Sequence, residues 1–417
     1  MQTESLKLAE DTSLPGGGRA PAADSFDWAG LEYLADPQLP ALRRRMVAET
    51  LFALGGARVA EALAKNAKAR SWRLRNKKSE TAAGQPRFAV LCYHRIGRGG
   101  VPVYSGLPAA VFESQMVYLR KHYRIVSLAE MIAEMESPAK ADPAVAITFD
   151  DGYADLYAQA FPILQKLTIP ATVYLTAGAI ETGEVAWYDR VFVAFQVMPL
   201  EEFELPSDSP RRVRLSTPSD RLKAAVEYIT LMRGLPASEQ RAKIAMLESS
   251  VRFPQKSMSN RMLSWTQIRR MIEGGVSFGA HTMTHPVVSR LTETELYAEL
   301  ADSKKLIEDR IQQPALDFAF PFGKLDECGH RAMTTLSQLG YRSAATTIEG
   351  VNVPGSNPFF LKRVSYCEER SLAIFALQLS RLFLSSEPEQ PEGAPFLQAA
   401  SQTVPDTPNS SKRREAR

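Results

Sequence analysis

Residues 146–152 read Ala-Ile-Thr-Phe-Asp-Asp-Gly, an apolar run that ends in two adjacent carboxylates and a glycine. The apolar run predicts a buried strand, and the two aspartates follow at its carboxyl end, where the active sites of parallel α/β proteins form. Adjacent carboxylates repel each other unless a cation neutralises one of them, which favours one metal ligand and one general base. A turn with a helix cap is the alternative explanation of an isolated Asp-Asp-Gly.

A second polar group follows another predicted strand. Residues 278–285 read Phe-Gly-Ala-His-Thr-Met-Thr-His, so two of the five histidines, His281 and His285, lie four positions apart. On one helical turn both imidazoles would face the same way and could bind one divalent metal. With Asp151 they form a set of two nitrogens and one carboxylate, which leaves coordination open for water as hydrolytic metal sites require.

The rest of the chain surrounds these motifs with alternating strand and helix patterns, which predicts parallel βα units. The predicted strands are 87–93, 145–149, 171–176, 276–280, 317–321 and 341–346. A helix is expected over 292–311, because Thr292 and Glu295 form a capping box ahead of an apolar face. The gap over 177–263 is too long for a βα connection, so we expect an inserted helical subdomain that lies over the mouth of the sheet.

Thr-Phe-Asp-Asp-Gly followed by His-Thr-x-Thr-His resembles the motifs of the polysaccharide deacetylases, the NodB-like carbohydrate esterases. The resemblance covers roughly residues 87–366, with Phe-Ala-Phe-Pro-Phe-Gly at 318–323 similar to a third family motif. It implies an α/β fold, a distorted (β/α)7 barrel, and metal-dependent removal of the N-acetyl group of an amino sugar in a polysaccharide, oligosaccharide or glycan precursor. A deformylase or other amidase on the same fold, and a catalytically inactive glycan-binding module, are the alternatives.

The resemblance also implies roles for individual residues. Asp150 is the expected general base, and the expected metal ligands are Asp151, His281 and His285. The metal is most often Zn²⁺, with Co²⁺ or Mn²⁺ as alternatives. The backbone N–H of Phe322 is expected to stabilise the oxyanion, with Pro321 of the same motif at the substrate.

The chain departs from the common family pattern in two places. No histidine follows His330, so the usual late general acid is missing. His94 ends the first predicted strand in a Tyr-His pair, as in the circularly arranged deacetylases of biofilm exopolysaccharide systems, and is the expected acid; a hydrogen-bonded rim histidine is the alternative. The third motif also lacks its arginine. We expect Arg363, at the end of a late predicted strand, to pair with Asp150, although a surface cation explains it equally well.

Aromatic side chains open the predicted insertion at Trp187 and Tyr188. Aromatic faces with polar tips suit stacking on sugar rings, so both residues are candidates for substrate binding. Packing in the core of the insertion is the interpretation that we favour.

The 417 residues, with 45% hydrophobic and 23% charged side chains, exclude a wholly disordered or collagen-like chain. We expect a disordered segment over 1–40, a basic helical segment over 41–80, the deacetylase domain over 85–370, a helix over 371–384 and a disordered tail over 385–417. The absence of a signal-peptide pattern and of a membrane span predicts a cytoplasmic protein. Three scattered cysteines agree with a reducing compartment.

The net charge of +3 conceals a local basic run, since residues 42–78 hold eleven Lys and Arg against two Glu. A solvated helix surface is one explanation. Peripheral contact with an anionic membrane is another, and nucleic acid is not expected as a partner because no binding fold accompanies the charge.

Overall fold

The computed structural model describes residues 87–97, 106–137, 143–206, 211–251, 261–365 and 371–384. The strands are β1 (Phe88–Tyr93), β2 (Arg124–Ile125), β3 (Ala144–Phe149), β4 (Ala171–Leu175), β5 (Glu202–Leu205), β6 (Arg211–Arg214), β7 (Val276–Ala280), β8 (Asp317–Ala319), β9 (Ser343–Glu349) and β10 (Leu361–Val364). The α-helices are α1 (Ala109–His122), α2 (Leu128–Glu136), α3 (Phe161–Leu167), α4 (Ala177–Thr182), α5 (Trp187–Val197), α6 (Pro218–Arg233), α7 (Ala237–Ser249), α8 (Trp265–Glu273), α9 (Glu293–Ile311), α10 (Leu325–Cys328), α11 (His330–Gln338) and α12 (Leu372–Leu384).

Seven parallel strands close into a barrel. Their order is β1-β10-β9-β8-β7-β4-β3, and the ring closes because β1 also pairs with β3 along its whole length, from Phe88 opposite Ala144 to Tyr93 opposite Phe149. The short β2 pairs with the start of β3 as an eighth strand. The expected distorted (β/α)7 barrel is confirmed, and all seven strands end at one mouth.

The strands at the closure are continuous apolar runs rather than alternating ones. All six residues of β1 and all six of β3 are buried. Parallel strands inside a ring of helices are covered on both faces, so each side chain contacts either the barrel interior or a helix. The apolar run before the two aspartates therefore reflects the depth of the strand.

The predicted helix after the histidine motif is confirmed as α9. Thr292 accepts a hydrogen bond from the Glu295 N–H, and the Glu295 carboxylate accepts one from the Thr292 N–H, which is the expected capping box. Its apolar face, which includes Leu296, Leu300 and Ile307, is buried in the main core.

Between β4 and β7 the chain leaves the barrel and forms α4 to α7 together with an antiparallel hairpin of β5 and β6. This part has its own hydrophobic cluster, in which Phe195, Tyr228 and Met232 are fully buried. The hairpin was not predicted, because its strands are four-residue runs of mainly charged, exposed residues without apolar alternation. The domain boundaries drawn from sequence stay predictions.

Some predictions fall on other parts of the chain. Segments 1–40, 41–80 and 385–417, and with them the basic stretch 42–78 and its membrane contact, lie outside the described residues. In the part of the chain that the structure describes, no helix combines the length and apolarity needed to span a bilayer.

Candidate active site

Three buried side chains from two loops meet at the mouth of the barrel. Asp151 follows β3, and His281 and His285 follow β7. The Nε2 atoms of His281 and His285 lie 3.6 and 3.4 Å from Oδ1 of Asp151. Two ligands on a tetrahedral metal with bonds of about 2.0–2.2 Å lie about 3.4 Å apart. The three expected ligands are thus spaced to surround one ion.

The local backbone differs from the expectation, since the two histidines do not share a helical turn. Residues 281–287 form an irregular loop in which Thr282 and His285 have positive φ angles of 66° and 59°. The Thr282 hydroxyl accepts a hydrogen bond from the His285 N–H at 3.0 Å and so holds the loop closed. The prediction that both imidazoles face one point is correct, but a strained loop, not helical periodicity, brings them together.

The hydrogen bonding around the cluster fits a cation. Nδ1 of His281 lies 2.7 Å from the carbonyl oxygen of Ala319, which orients Nε2 toward the cluster in the manner of metal-bound histidines. Oδ1 of Asp151 is buried and has no hydrogen-bond partner among the described residues. Buried polar atoms are rarely left unpaired, so an acceptor oxygen facing two imidazole nitrogens fits the position of a metal ligand.

The protonation tendency of His285 agrees with this interpretation, and that of Asp151 depends on whether a cation is bound. Burial, and then the neighbouring His281, lower the pKa of His285 well below its usual value, so its imidazole is neutral as a metal ligand must be. Burial raises the pKa of Asp151. A bound divalent cation would oppose that rise by stabilising the carboxylate.

The second aspartate of the pair has a different partner. Asp150 accepts two hydrogen bonds of 2.7 Å from Nη1 and Nη2 of Arg363, which reaches it from β10 on the far side of β1. Both side chains are buried, and Nε of Arg363 donates to the Thr346 carbonyl at 2.6 Å. Burial alone would raise the pKa of Asp150, but the charge and hydrogen bonds of Arg363 outweigh it and hold that pKa below its usual value. The surface-cation alternative for Arg363 is wrong.

The expected acid lies beside the expected base. His94 directly follows β1, is half-buried, and has a ring nitrogen within 4.8 Å of both a carboxylate oxygen of Asp150 and Sγ of Cys92. The thiol of Cys92 is itself 3.6 Å from Oδ2 of Asp150. Sequence reasoning treated Cys92 only as a buried apolar residue, although its two-residue spacing from His94 on a strand places both on one face.

The third motif follows β8 and packs against the histidine loop. Phe322 has a φ of 59°, and its ring packs against His285 with centroids 4.8 Å apart. Within the described residues its backbone N–H has no hydrogen-bond acceptor, which leaves it available to an oxyanion. Pro321 is buried at the preceding position.

The two aromatic residues predicted to bind sugar lie behind the histidine loop. Trp187 and Tyr188 are 6% and 4% exposed, and both belong to the hydrophobic cluster of the inserted part. The indole N–H of Trp187 donates to the His285 carbonyl at 3.0 Å. The Tyr188 ring lies 4.8 Å from that of His285. This burial favours the core-packing alternative over stacking on a substrate.

A cavity of about 420 Å³ lies on the outer side of the same loop. Met283 and Pro286 of the loop line one wall, and Trp187, Arg190 and Ile244 line the other. None of the residues of the carboxylate and histidine cluster lines it, so it is separate from the candidate active site.

Fold and site together define a class of protein: a parallel βα barrel whose mouth holds a two-histidine, one-carboxylate cluster beside an ionised, arginine-paired carboxylate. The sequence profile of the polysaccharide deacetylases matches residues 137–344, and the chain belongs to this family. The matched segment contains Asp150, Asp151 and both histidines, whereas His94 and Arg363 lie outside it.

Several known proteins are similar to this chain. One is the Bacillus subtilis (strain 168) protein named "Putative polysaccharide deacetylase YxkH", 22% identical over 69% of this chain and 73% of its own. Among solved structures, the Streptococcus pyogenes deacetylase PplD in complex with acetate is 19% identical, covers 73% of this chain and 100% of its own, and has a TM-score of 0.49. IcaB from Ammonifex degensii is 20% identical, the match covers 70% of this chain and 98% of IcaB, and the TM-score is 0.45.

Proposed function

We propose that the chain is a metal-dependent hydrolase that removes the N-acetyl group of an amino sugar in a polysaccharide, oligosaccharide or glycan precursor. One observation carries the proposal. The Asp151, His281 and His285 cluster lies at the same barrel mouth as Asp150, a buried carboxylate that Arg363 holds in its ionised form. Amide hydrolysis needs an activated carbonyl and an accepting base side by side, and these two groups can supply them.

The cluster of Asp151, His281 and His285 would hold the metal, most often Zn²⁺ in this family, and its two nitrogens and one carboxylate also accept Co²⁺ or Mn²⁺. When bound, the metal supplies Lewis-acid polarisation of the amide carbonyl and lowers the pKa of water. The remaining steps are carried out by side chains and one backbone N–H group of this protein.

In this proposal Asp150 accepts a proton from the attacking water. It can do so because Arg363 donates to both of its oxygens and keeps it unprotonated, while each oxygen retains lone pairs for another partner. The Phe322 N–H donates to the oxyanion of the tetrahedral intermediate. His94, within 4.8 Å of Asp150, protonates the departing amine nitrogen. General acid or base help of this kind is worth about 10²- to 10⁴-fold in rate.

The direct test measures acetate release from short N-acetylglucosamine oligomers, with the metal content of each sample recorded. Asp150→Asn and His94→Ala should each lose about 10²- to 10⁴-fold in turnover while the metal content stays unchanged. Asp151→Ala should lose both metal and activity. Asp317→Asn is the matched control, because Asp317 is also buried but lies at the opposite end of a barrel strand, paired with Arg342.

Three other outcomes would change the proposed acid, the proposed substrate or the proposed activity. Near-normal turnover of a metal-loaded His94→Ala protein would remove His94 as the acid. Bound metal together with formate release from N-formyl substrates, and no acetate release from N-acetyl substrates, would indicate a deformylase. Glycan binding without any amide hydrolysis would favour the inactive binding module.

A further inference from the structure

The residues at the start of α5 contact both loops that carry the candidate metal ligands. We infer that Trp187, Tyr188 and Asp189, which we call the α5 anchor, are positioning residues that hold Asp151 and His285 in their ligand geometry. The inference rests on the proposed function, because it concerns the same metal site. It gives the inserted part of the chain a role in metal binding.

The first contact is to the histidine loop. The Trp187 indole N–H donates to the His285 carbonyl at 3.0 Å, and the Tyr188 ring meets the His285 ring edge to face. Together they fix both the backbone and the ring of His285. The Nδ1 atom of His285 is buried and has no hydrogen-bond partner among the described residues, so its ring lacks the usual carbonyl or carboxylate that orients a metal-bound histidine. Packing against the Tyr188 ring orients the His285 ring instead.

The second contact is to the aspartate loop. The Tyr188 side chain lies close enough to the Asp151 carboxyl group to favour its ionised form, against the effect of burial. Asp189 accepts a 2.7 Å hydrogen bond from the hydroxyl of Tyr153, which lies two residues beyond Asp151 on the same turn. The hydroxyl oxygens of Tyr153 and Tyr188 are 3.3 Å apart. A connected group of buried hydroxyl and carboxyl groups thus joins the anchor to the loop after β3.

Both ligand loops need such support, because their backbones are strained. Asp151 and His285 have φ angles of 71° and 59°, a region that side chains with a Cβ atom rarely occupy. Strained residues persist only where the surrounding contacts over-determine their conformation. Helix α5 supplies those contacts to both loops at once from three consecutive residues, each less than 7% exposed.

The test measures the dissociation constant for Zn²⁺ by competition with a chelating dye, together with the visible spectrum of the Co²⁺-loaded protein. Tyr188→Phe keeps the ring against His285 but removes the hydroxyl from Asp151, and should weaken Zn²⁺ binding about 10- to 100-fold. It should also alter the Co²⁺ spectrum, which reports ligand geometry. Asp189→Ala should weaken Zn²⁺ binding, whereas Asp189→Asn, which still accepts from Tyr153, should restore much of the affinity.

Tyr228→Phe is the matched control. Tyr228 is buried in the same inserted part and donates to the Lys243 carbonyl at 2.9 Å, so its loss removes an equivalent hydrogen bond that does not lead to the ligand loops. The Zn²⁺ affinity of the Tyr228→Phe protein should equal that of the wild type. If Tyr188→Phe and Tyr228→Phe both bind Zn²⁺ normally while Asp151→Ala does not, the anchor is refuted and the proposed metal site stands. If Asp151→Ala also binds Zn²⁺ normally, the metal site and the anchor both fail.

Discussion

Replacing Arg363 with methionine keeps most of the side-chain volume and removes the only positive charge that the described structure places on Asp150 through hydrogen bonds. Both members of the pair are almost inaccessible, at 0% and 2% exposed, and two bonds of 2.7 Å join them. Removing one partner of a buried ion pair leaves the other charge without compensation and costs about 3–5 kcal/mol. We expect Arg363→Met to lose stability in this range.

The loss should depend on pH in a defined direction. In the wild type the pKa of Asp150 is lowered, so the pair stabilises the fold above the unfolded-state pKa of about 3.9, and this contribution is lost as pH falls below it. Without Arg363 the largest influence on Asp150 is burial, which raises the pKa of a carboxyl group, and His281 and His94 oppose it less strongly. The stability of Arg363→Met should therefore decrease as pH rises above about 4, until Asp150 ionises in the folded state.

Urea unfolding between pH 4 and 8 measures this effect, and acetate release over the same range measures its consequence for the base. The acidic limb of the activity profile should move to higher pH in Arg363→Met. Arg211→Met is the control, because its pair with Glu227 is exposed on both sides and should contribute about 1 kcal/mol or less. Equal unfolding free energies for Arg363→Met and wild type at pH 7, with superimposable pH profiles, would refute the reasoning.

Three further predictions concern stability. Leu300→Ala should destabilise the protein by about 2–5 kcal/mol in urea unfolding, because Leu300 is fully buried in the main core, while Tyr297→Ala on the exposed face of the same helix should change little. Gly279→Ala should lower the melting temperature, since a Cβ there would lie 2.3 Å from the Asp317 carbonyl oxygen; an unchanged melting temperature would contradict that geometry. Chelator treatment should lower the melting temperature of the wild type but not of Asp151→Ala, because only a protein that binds metal is stabilised by it.

The sequence predicted the barrel strands because each one is a short apolar run followed by polar residues or glycine. It also predicted that the aspartate and histidine motifs meet, since parallel strands end at the same mouth. The pairing of Arg363 with Asp150 followed from an absence in the third motif combined with a late strand end. In these cases the hydrophobic pattern of the strands and the chemistry of the polar residues after them both indicated the barrel mouth.

Other features left weaker signals. The β5–β6 hairpin is charged and exposed, so it lacks the alternation that marks a strand. The left-handed conformations of Asp151 and His285 could not be predicted, because even Asp and His adopt a positive φ in only a small fraction of cases. The environment of Trp187 depends on how the inserted part packs against the histidine loop, which is a tertiary contact between residues 98 positions apart.

The order in which the barrel parts leave the ribosome has a consequence for synthesis. Asp150 precedes Arg363 by 213 positions. At about 5–20 residues per second, roughly 10–40 s pass before the arginine has been made. During that interval β1 lacks β10, the strand that pairs with it to close the ring, and Asp150 lacks the arginine that neutralises its charge. Until β10 is made, one edge of β1 therefore has no partner strand. A nascent chain stalled before residue 361 should be a preferred target for chaperones.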